Sequence, residues 1–204
     1  MFTGIVQSIG TVVKKQQLKG DLCFVIQTFF KDYQTISLGD SIACDGVCLT
    51  VTQLDADKIT LDVSRETLAK STLGSWQIGQ RVNLEQSLTL QDKLGGHLVS
   101  GHVDALAQCV GIEKSARCTV YRFAIPQHLD KYIVKKGSVA LNGVSLTVNT
   151  IHDLVFSVNL IPHTLAHTNL GLLKINQQLN IEIDTIARYV EKMIPNFKPN
   201  LLNL

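Results

Sequence analysis

Ser41-Ile42-Ala43-Cys44-Asp45-Gly46-Val47-Cys48-Leu49-Thr50-Val51 and Ser138-Val139-Ala140-Leu141-Asn142-Gly143-Val144-Ser145-Leu146-Thr147-Val148 are one motif written twice. Each copy is a short apolar run, an Asp-Gly or Asn-Gly pair, and a run that alternates apolar with small polar residues. Such a pair between apolar runs is the strongest short-range signal for a hairpin, because its turn needs two residues that tolerate positive φ. The repeat then extends outward at the same offset. Glu66–Gly74 lies over His163–Gly171, Asn83-Leu84-Glu85 over Asn180-Ile181-Glu182, and Thr3-Gly4 over Ser100-Gly101. About a third of the positions in 41–87 are identical to their mates in 138–184. The reading is a duplicated module, with domains at 1–97 and 98–184 and a tail over 185–204.

Within each copy the signals are those of an all-β chain. Phe24–Phe29, Ile59–Val63 and Val82–Glu85 are short, rich in β-branched and aromatic residues, and bounded by turn residues. About six short strands in so small a unit leave few open edges only if the sheet closes, so each copy is expected to be a small barrel. Short helices are expected near 67–71 and 164–168. After Asp184 the period changes: Ile186, Val190, Met193 and Ile194 fall on one helical face, with Asp184 as N-cap and Pro195 as stop. That apolar stripe needs a partner, either its own barrel or another subunit.

Composition removes several classes of function. Nineteen Lys and Arg against seventeen Asp and Glu give a net charge of +2, and no basic run exceeds Lys14-Lys15 or Lys135-Lys136. Nucleic-acid binding calls for a basic stripe with aromatic platforms, and neither is present. The five cysteines follow no zinc spacing, and the histidines have no ligand cluster around them, so no metal site is expected. No apolar stretch is long enough to span a membrane and no charged leader precedes one, which points to a cytoplasmic protein with reduced thiols.

Alternation places Val47, Leu49 and Val51, and likewise Val144, Leu146 and Val148, toward a core. Cys48, Thr50 and Thr52, and Ser145, Thr147 and Asn149, then face outward. Two rows of small polar groups at equivalent places suit two pockets for flat polar ligands, although an ordinary solvated strand face remains open on pattern alone. The copies differ where protons could be moved: His102 faces Ile5, Lys136 faces Gly39, Ser145 faces Cys48 and Asp184 faces Ser87 in the alignment. The second copy is thus expected to carry the acid–base groups. The junction Gly95-Gly96-His97-Leu98-Val99-Ser100-Gly101-His102 combines close-approach glycines with titratable rings, which are either functional or satisfied structural histidines.

These residues, together with Met1-Phe2-Thr3-Gly4-Ile5-Val6 and Ile181-Glu182-Ile183-Asp184, resemble the signatures of the riboflavin synthase family, alpha-chain type, from residue 1 to about 190. The resemblance implies two homologous six-stranded Greek-key barrels in tandem plus a C-terminal helix, assembled as a homotrimer. It implies two molecules of 6,7-dimethyl-8-ribityllumazine as substrate, four-carbon transfer between them, and no metal or redox cofactor. Carried over by position, the first pocket would use Gly4, Ile5 and Val6, Cys48, Leu49 and Thr50, and Asp62, Val63, Ser64, Arg65, Glu66 and Thr67. The second would use Gly101, His102 and Val103, Ser145, Leu146 and Thr147, and Leu160, Ile161, Pro162, His163 and Thr164, with Lys136 reaching across an interface. His102, Ser145, Thr147 and Asp184 are the expected catalytic groups, with Cys48 and His97 in support and Phe2 closing the N-terminal pocket. The competing class on the same fold is a fluorescent antenna protein that binds one lumazine or flavin without turnover.

The alignment of Cys48 with Ser145 yields a direct test. If Cys48 contacts the ligand and is no covalent nucleophile, Cys48→Ser retains substantial riboflavin formation, because the paired position already uses a hydroxyl. Complete loss of turnover with ligand binding intact would instead make Cys48 a covalent nucleophile.

Overall fold

The computed structural model describes residues 1–194; the expected stop at Pro195 and the rest of the tail lie outside the described residues. The first copy forms strands β1 (Ser8–Leu18), β2 (Asp21–Gln27), β3 (Ser41–Cys44), β4 (Val47–Asp55) and β5 (Lys58–Val63), helix α1 (Arg65–Lys70) and strand β6 (Arg81–Gln86). The second forms β7 (Ala105–Ser115), β8 (Cys118–Ala124), β9 (Ser138–Leu141), β10 (Val144–Thr147), β11 (Thr150–His152), β12 (Val155–Leu160), α2 (Pro162–His167) and β13 (Gln178–Ile183), followed by α3 (Thr185–Met193). The two short helices thus begin about two residues earlier than expected, Ser64 capping the first through a bond from the Thr67 N–H.

In the first copy the strands close into a barrel in the order β1-β2-β5-β4-β3-β6. The order is that of a Greek key. In the second copy the hydrogen-bonded order is β10-β9-β13-β7-β8-β12-β11. Its two ends are consecutive pieces of one chain segment, interrupted only at Val148 and Asn149, so this sheet also returns on itself. The expected six-strand plan is therefore kept, with the equivalent of β4 in two pieces. Where β4 absorbs the same corner it uses a bulge between Val51 and Gln53.

Both decisive turns have positive φ at each central residue: 46° and 78° at Asp45-Gly46, 45° and 75° at Asn142-Gly143. Val47, Leu49 and Val51 are buried in the first core, with Phe24, Ile26, Leu61 and Trp76. Val144, Leu146 and Val148 are buried in the second, with Phe123, Phe156 and Leu179. The alternation read from sequence is what the barrels use.

The copies meet about a local two-fold axis, because the contacts that follow have mates in which the copies trade roles. Phe2 and Val99 form an antiparallel bridge, and Gly46 lies against Gly143. Asn83 donates through Nδ2 to the Asn142 carbonyl at 2.9 Å, and Asn180 through Nδ2 to the Asp45 carbonyl at 2.9 Å. The symmetry is broken chemically at Asp45 against Asn142, and at Asn169 against Thr72. Asp45 is fully buried, and its Oδ1 accepts from the Asn83 N–H at 2.8 Å and from Asn169 Nδ2 at 2.8 Å. Burial outweighs these donors and raises its pKa to about 7. Its mate, Asn142, fills the same role as a neutral amide, Oδ1 accepting from the Asn180 N–H at 2.9 Å.

Helix α3 begins as the sequence indicates, Asp184 accepting from the Ile186 N–H at 3.0 Å. Its polar edge faces its own barrel: Arg188 pairs with Asp104 at 3.0 Å, and Glu191 with Lys131 and Tyr132. The apolar edge faces outward. Ile186 is 61% exposed, Val190 49%, Met193 80% and Ile194 50%.

The raised pKa of Asp45 fixes a sign. The folded chain holds that proton more tightly than the unfolded chain, so the contribution is favourable below the unfolded value near 4 and is lost as pH rises through about 7. Asp45→Asn, which copies Asn142, removes the penalty. Thermal unfolding should show the variant more stable than the parent at pH 8, by on the order of a few kcal/mol, and little different at pH 4.

Candidate functional site

Glu85 and Glu182 do the same work in the two copies. Oε1 of Glu85 accepts from the N–H and the hydroxyl of Thr3, both at 2.6 Å, and Oε2 from the Gly4 N–H at 3.0 Å. Oε1 of Glu182 accepts from the N–H and hydroxyl of Ser100, both at 2.6 Å, and Oε2 from the Gly101 N–H at 2.9 Å. Each carboxyl is buried, and burial lifts its pKa against the pull of those donors. What they hold is the segment leading into each copy, and that segment crosses to the other barrel. The Ser145 N–H donates to the Gly4 carbonyl at 2.7 Å, and the Cys48 N–H to the Gly101 carbonyl at 2.9 Å. Val6 packs on the second core and Val103 on the first.

This crossing changes the expected grouping of the pockets. A cavity of about 330 Å³ is lined by Val47, Cys48, Glu66, Thr67, Lys70, Ser71, Gly101, His102 and Val103. Gly101, His102 and Val103, expected in the second pocket, are a wall of the first. Gly4, Ile5 and Val6, expected in the first, lie along Ser145 of the second. The sequence offset could not reveal this, because an exchange between equivalent positions leaves every alignment unchanged. Gly101 and Gly4 have to be glycine: φ is +81° and +75°, and a Cβ would lie 2.5 Å from that of Cys48 or 2.6 Å from that of Ser145.

The acid–base groups are divided between the two sides rather than collected on the second. His102 is exposed in the first cavity with Cys48. On the second side, His97 Nδ1 lies 2.7 Å from Ser145 Oγ, and Nε2 is buried with no protein partner. Burial lowers the His97 pKa, and the Asp184 carboxylate opposes this without reversing it. His97 is therefore a neutral imidazole at neutral pH, able to exchange a proton with Ser145. Asp184 caps α3 beside it. Thr50 and Thr147 are exposed on the outward strand faces; Asp62, Ser64, Arg65 and Glu66 are exposed at the start of α1, and Ile161, Pro162 and His163 at the start of α2, with Thr67 and Thr164 half-buried.

Several expected contacts are placed differently. Phe2 is fully buried between the copies, with Ala43, Val99 and Ala140, and Cys48 packs on that cluster. It stands behind Cys48 and closes no pocket within the chain. Leu49, Val63, Leu146 and Leu160 point into the barrel cores, so only their backbones can meet a ligand. The Lys136 side chain is exposed, as a reach toward a neighbour would need, with its backbone at φ +67° and its N–H donating to the Val148 carbonyl at the strand interruption. A larger groove of about 730 Å³, between the barrels and lined by Asp45, Asn142 and Asn169 among others, was not anticipated. It holds none of the expected site residues.

The family described as "Lumazine binding domain" matches residues 3–87 and again 100–184. A riboflavin synthase of Photobacterium leiognathi is 43% identical over 194 residues, 95% of this chain and 89% of its own. That of Brucella abortus is 43% identical over 198 residues, covering 95% and 98%. The chain belongs to the riboflavin synthase family. The Bacillus subtilis riboflavin synthase is 35% identical over 200 residues, 98% of this chain and 93% of its own. The fold is likewise that of LumP: its complex with riboflavin superposes with a TM-score of 0.83 at 26% identity, over 90% of this chain and 99% of that one. Its complex with 6,7-dimethyl-8-(1'-D-ribityl) lumazine gives 0.80 at 26%, with the same coverage. The two matched lumazine-binding repeats of this riboflavin synthase family member thus coincide with the two barrels.

Gly101→Ala tests the crossed wall. The added Cβ has no room against Cys48, so lumazine binding titrated by fluorescence should fall from two molecules per chain to one. Unchanged stoichiometry would show that the Gly101 segment forms no part of the first pocket.

Proposed function

We propose that each pocket takes one lumazine, and that the reacting pair forms where the first pocket of one chain meets the second pocket of a neighbour in a homotrimer. As a member of its family, the chain converts two molecules of 6,7-dimethyl-8-ribityllumazine into riboflavin and 5-amino-6-(D-ribitylamino)uracil by four-carbon transfer. The observation that carries the shared site is the division of groups: Cys48 and His102 belong to one pocket, Ser145, His97 and Asp184 to the other. Neither pocket alone holds the whole set.

The chemistry asks for two things. The C7 methyl of a lumazine is acidic because the ring delocalises the carbanion, so a neutral base of moderate strength suffices. His97, kept neutral by burial and joined to the Ser145 hydroxyl, is such a base, and Asp184 stabilises the imidazolium as it forms. The second need is to hold two rings against each other, which in well-oriented systems removes roughly 7–11 kcal/mol of barrier. Backbone groups of Cys48 and Gly101 in one pocket, and of Ser145 and Gly4 in the other, would read the ring edges. Thr50, Thr67, Thr147 and Thr164 would bond the ribityl chains, and Lys136 would reach across from the neighbour.

The outward stripe of α3 supports the trimer. Its polar edge is already tied to its own barrel, so Ile186, Val190 and Met193 are left for another subunit. Each contributes roughly 1.5–3 kcal/mol when fully buried.

Complementation tests the shared site. One variant is crippled in the first pocket (Thr50→Asp with His102→Gln), another in the second (Ser145→Ala with His97→Gln). Each alone should be nearly inactive, and mixed oligomers should regain part of the activity by pairing intact halves. No recovery in oligomers shown to contain both chains would mean the site is built within one chain.

A further inference from the structure

The groove between the barrels is built from both copies at once. Asp45, Gln80 and Arg81 line it from the first copy, and their mates Asn142, Gln177 and Gln178 line it from the second. It therefore lies across the local two-fold axis. Its volume of about 730 Å³ is that of a small-molecule site. It shares Ser71 with the first cavity and none of that cavity's other residues, so it is a separate place on the molecule.

Asp45 forms the floor. It is 1% exposed, and Oδ1 takes both side-chain donors, the Asn83 N–H and Asn169 Nδ2, while Oδ2 accepts from none of the described residues. A buried carboxyl oxygen without a donor is costly, and the groove is the open side from which one can come. Along the walls, Gln108 and Gln178 stand opposite each other on β7 and β13. Their amides and that of Gln80 line the groove and form no hydrogen bond with a described residue. Each amide offers an acceptor and two donors. Leu106, Leu172 and Leu173 add aliphatic surface. The charges in the lining are Asp45 and Arg81, one of each sign.

These features select a ligand. Amides that both give and take hydrogen bonds match hydroxyl groups, which do the same, and the leucines match the C–H faces of the chain that carries those hydroxyls. Opposite charges that cancel favour neither an anion nor a cation. We infer that the groove is a binding site for an uncharged polyhydroxylated ligand, a saccharide or a linear polyol, with one hydroxyl donating to Asp45 Oδ2. A hydroxyl that donates there favours the ionised carboxyl, so ligand binding is linked to the Asp45 proton. The other groups around Asp45 do not titrate with it. Asn83, Asn142, Asn169 and Asn180 are neutral amides, burial pushes the Cys44 thiol well up, and the Arg81 guanidinium stays charged.

Maltotriose, a chain of rings, and D-ribitol, an open chain, are titrated separately into the full-length protein and followed by their heat. At least one should bind at a single site per chain. Asp45→Asn turns the free acceptor into a donor, and Gln178→Trp fills the groove from an exposed position. Each should weaken binding at least tenfold, whereas Thr50→Asp, in the first lumazine pocket, should leave it unchanged. Riboflavin formation by the two groove variants reports that both fold. In the parent, affinity should rise by up to about tenfold from pH 6 to pH 8 as Asp45 ionises. The site is overturned if neither probe binds, if the parent and both groove variants bind equally, or if Thr50→Asp abolishes binding. An affinity that stays flat from pH 6 to pH 8 overturns the contact with Asp45.

Discussion

The structure depends on two buried carboxylates, Glu85 and Glu182, each holding the N–H groups and hydroxyl of the segment that opens its copy. Burying a carboxylate is costly unless several donors surround it. Here Thr3 and Gly4, or Ser100 and Gly101, provide three. The segments so fixed continue across to the opposite barrel, where Gly4 meets Ser145 and Gly101 meets Cys48. Each pocket is therefore built partly from the other copy. Duplication did not produce two independent binding domains side by side; it produced two that complete each other.

That exchange explains how similar pockets come to hold unlike chemistry. The junction 95–103 contributes His97 to one side and His102 to the other, because the chain crosses between the barrels within those few residues. Its equivalent at the N-terminus, Thr3 to Val6, brings no titratable side chain. Asymmetry between the pockets thus comes from one short segment and from a few replaced positions, Cys48 against Ser145 among them, while the barrels stay alike.

The axis between the copies shows the same economy. Asn83 and Asn180 are interchangeable under the local two-fold, whereas Asp45 against Asn142, and Asn169 against Thr72, depart from it. A carboxyl in place of an amide leaves the packing unchanged and makes the contact sensitive to protons near neutrality. On the outer side, α3 spends its polar edge on Asp104, Lys131 and Tyr132 and turns its apolar edge away, so its orientation is set by the barrel it follows.

The sequence alone determined the duplication, the hairpin turns and the inward faces of the strands. These depend on local rules: two-residue turns need Asp-Gly or Asn-Gly, and a strand with one buried side must alternate. It also placed the Asp184 cap and the apolar stripe of α3, since period and cap are properties of a few neighbouring residues. Through its resemblance it pointed to Cys48, Ser145, His97 and His102 as residues to locate in the fold. What only the tertiary structure decided was their partnership. Gly101, His102 and Val103 serve the first barrel, Phe2 is sealed behind Cys48, and His97 joins Ser145 across 48 positions of chain. A repeat read by its offset treats the copies as equivalent, and equivalence is blind to which copy a segment lies upon. The reach of a backbone carbonyl across the two-fold axis settles that, and no pattern along the chain records it.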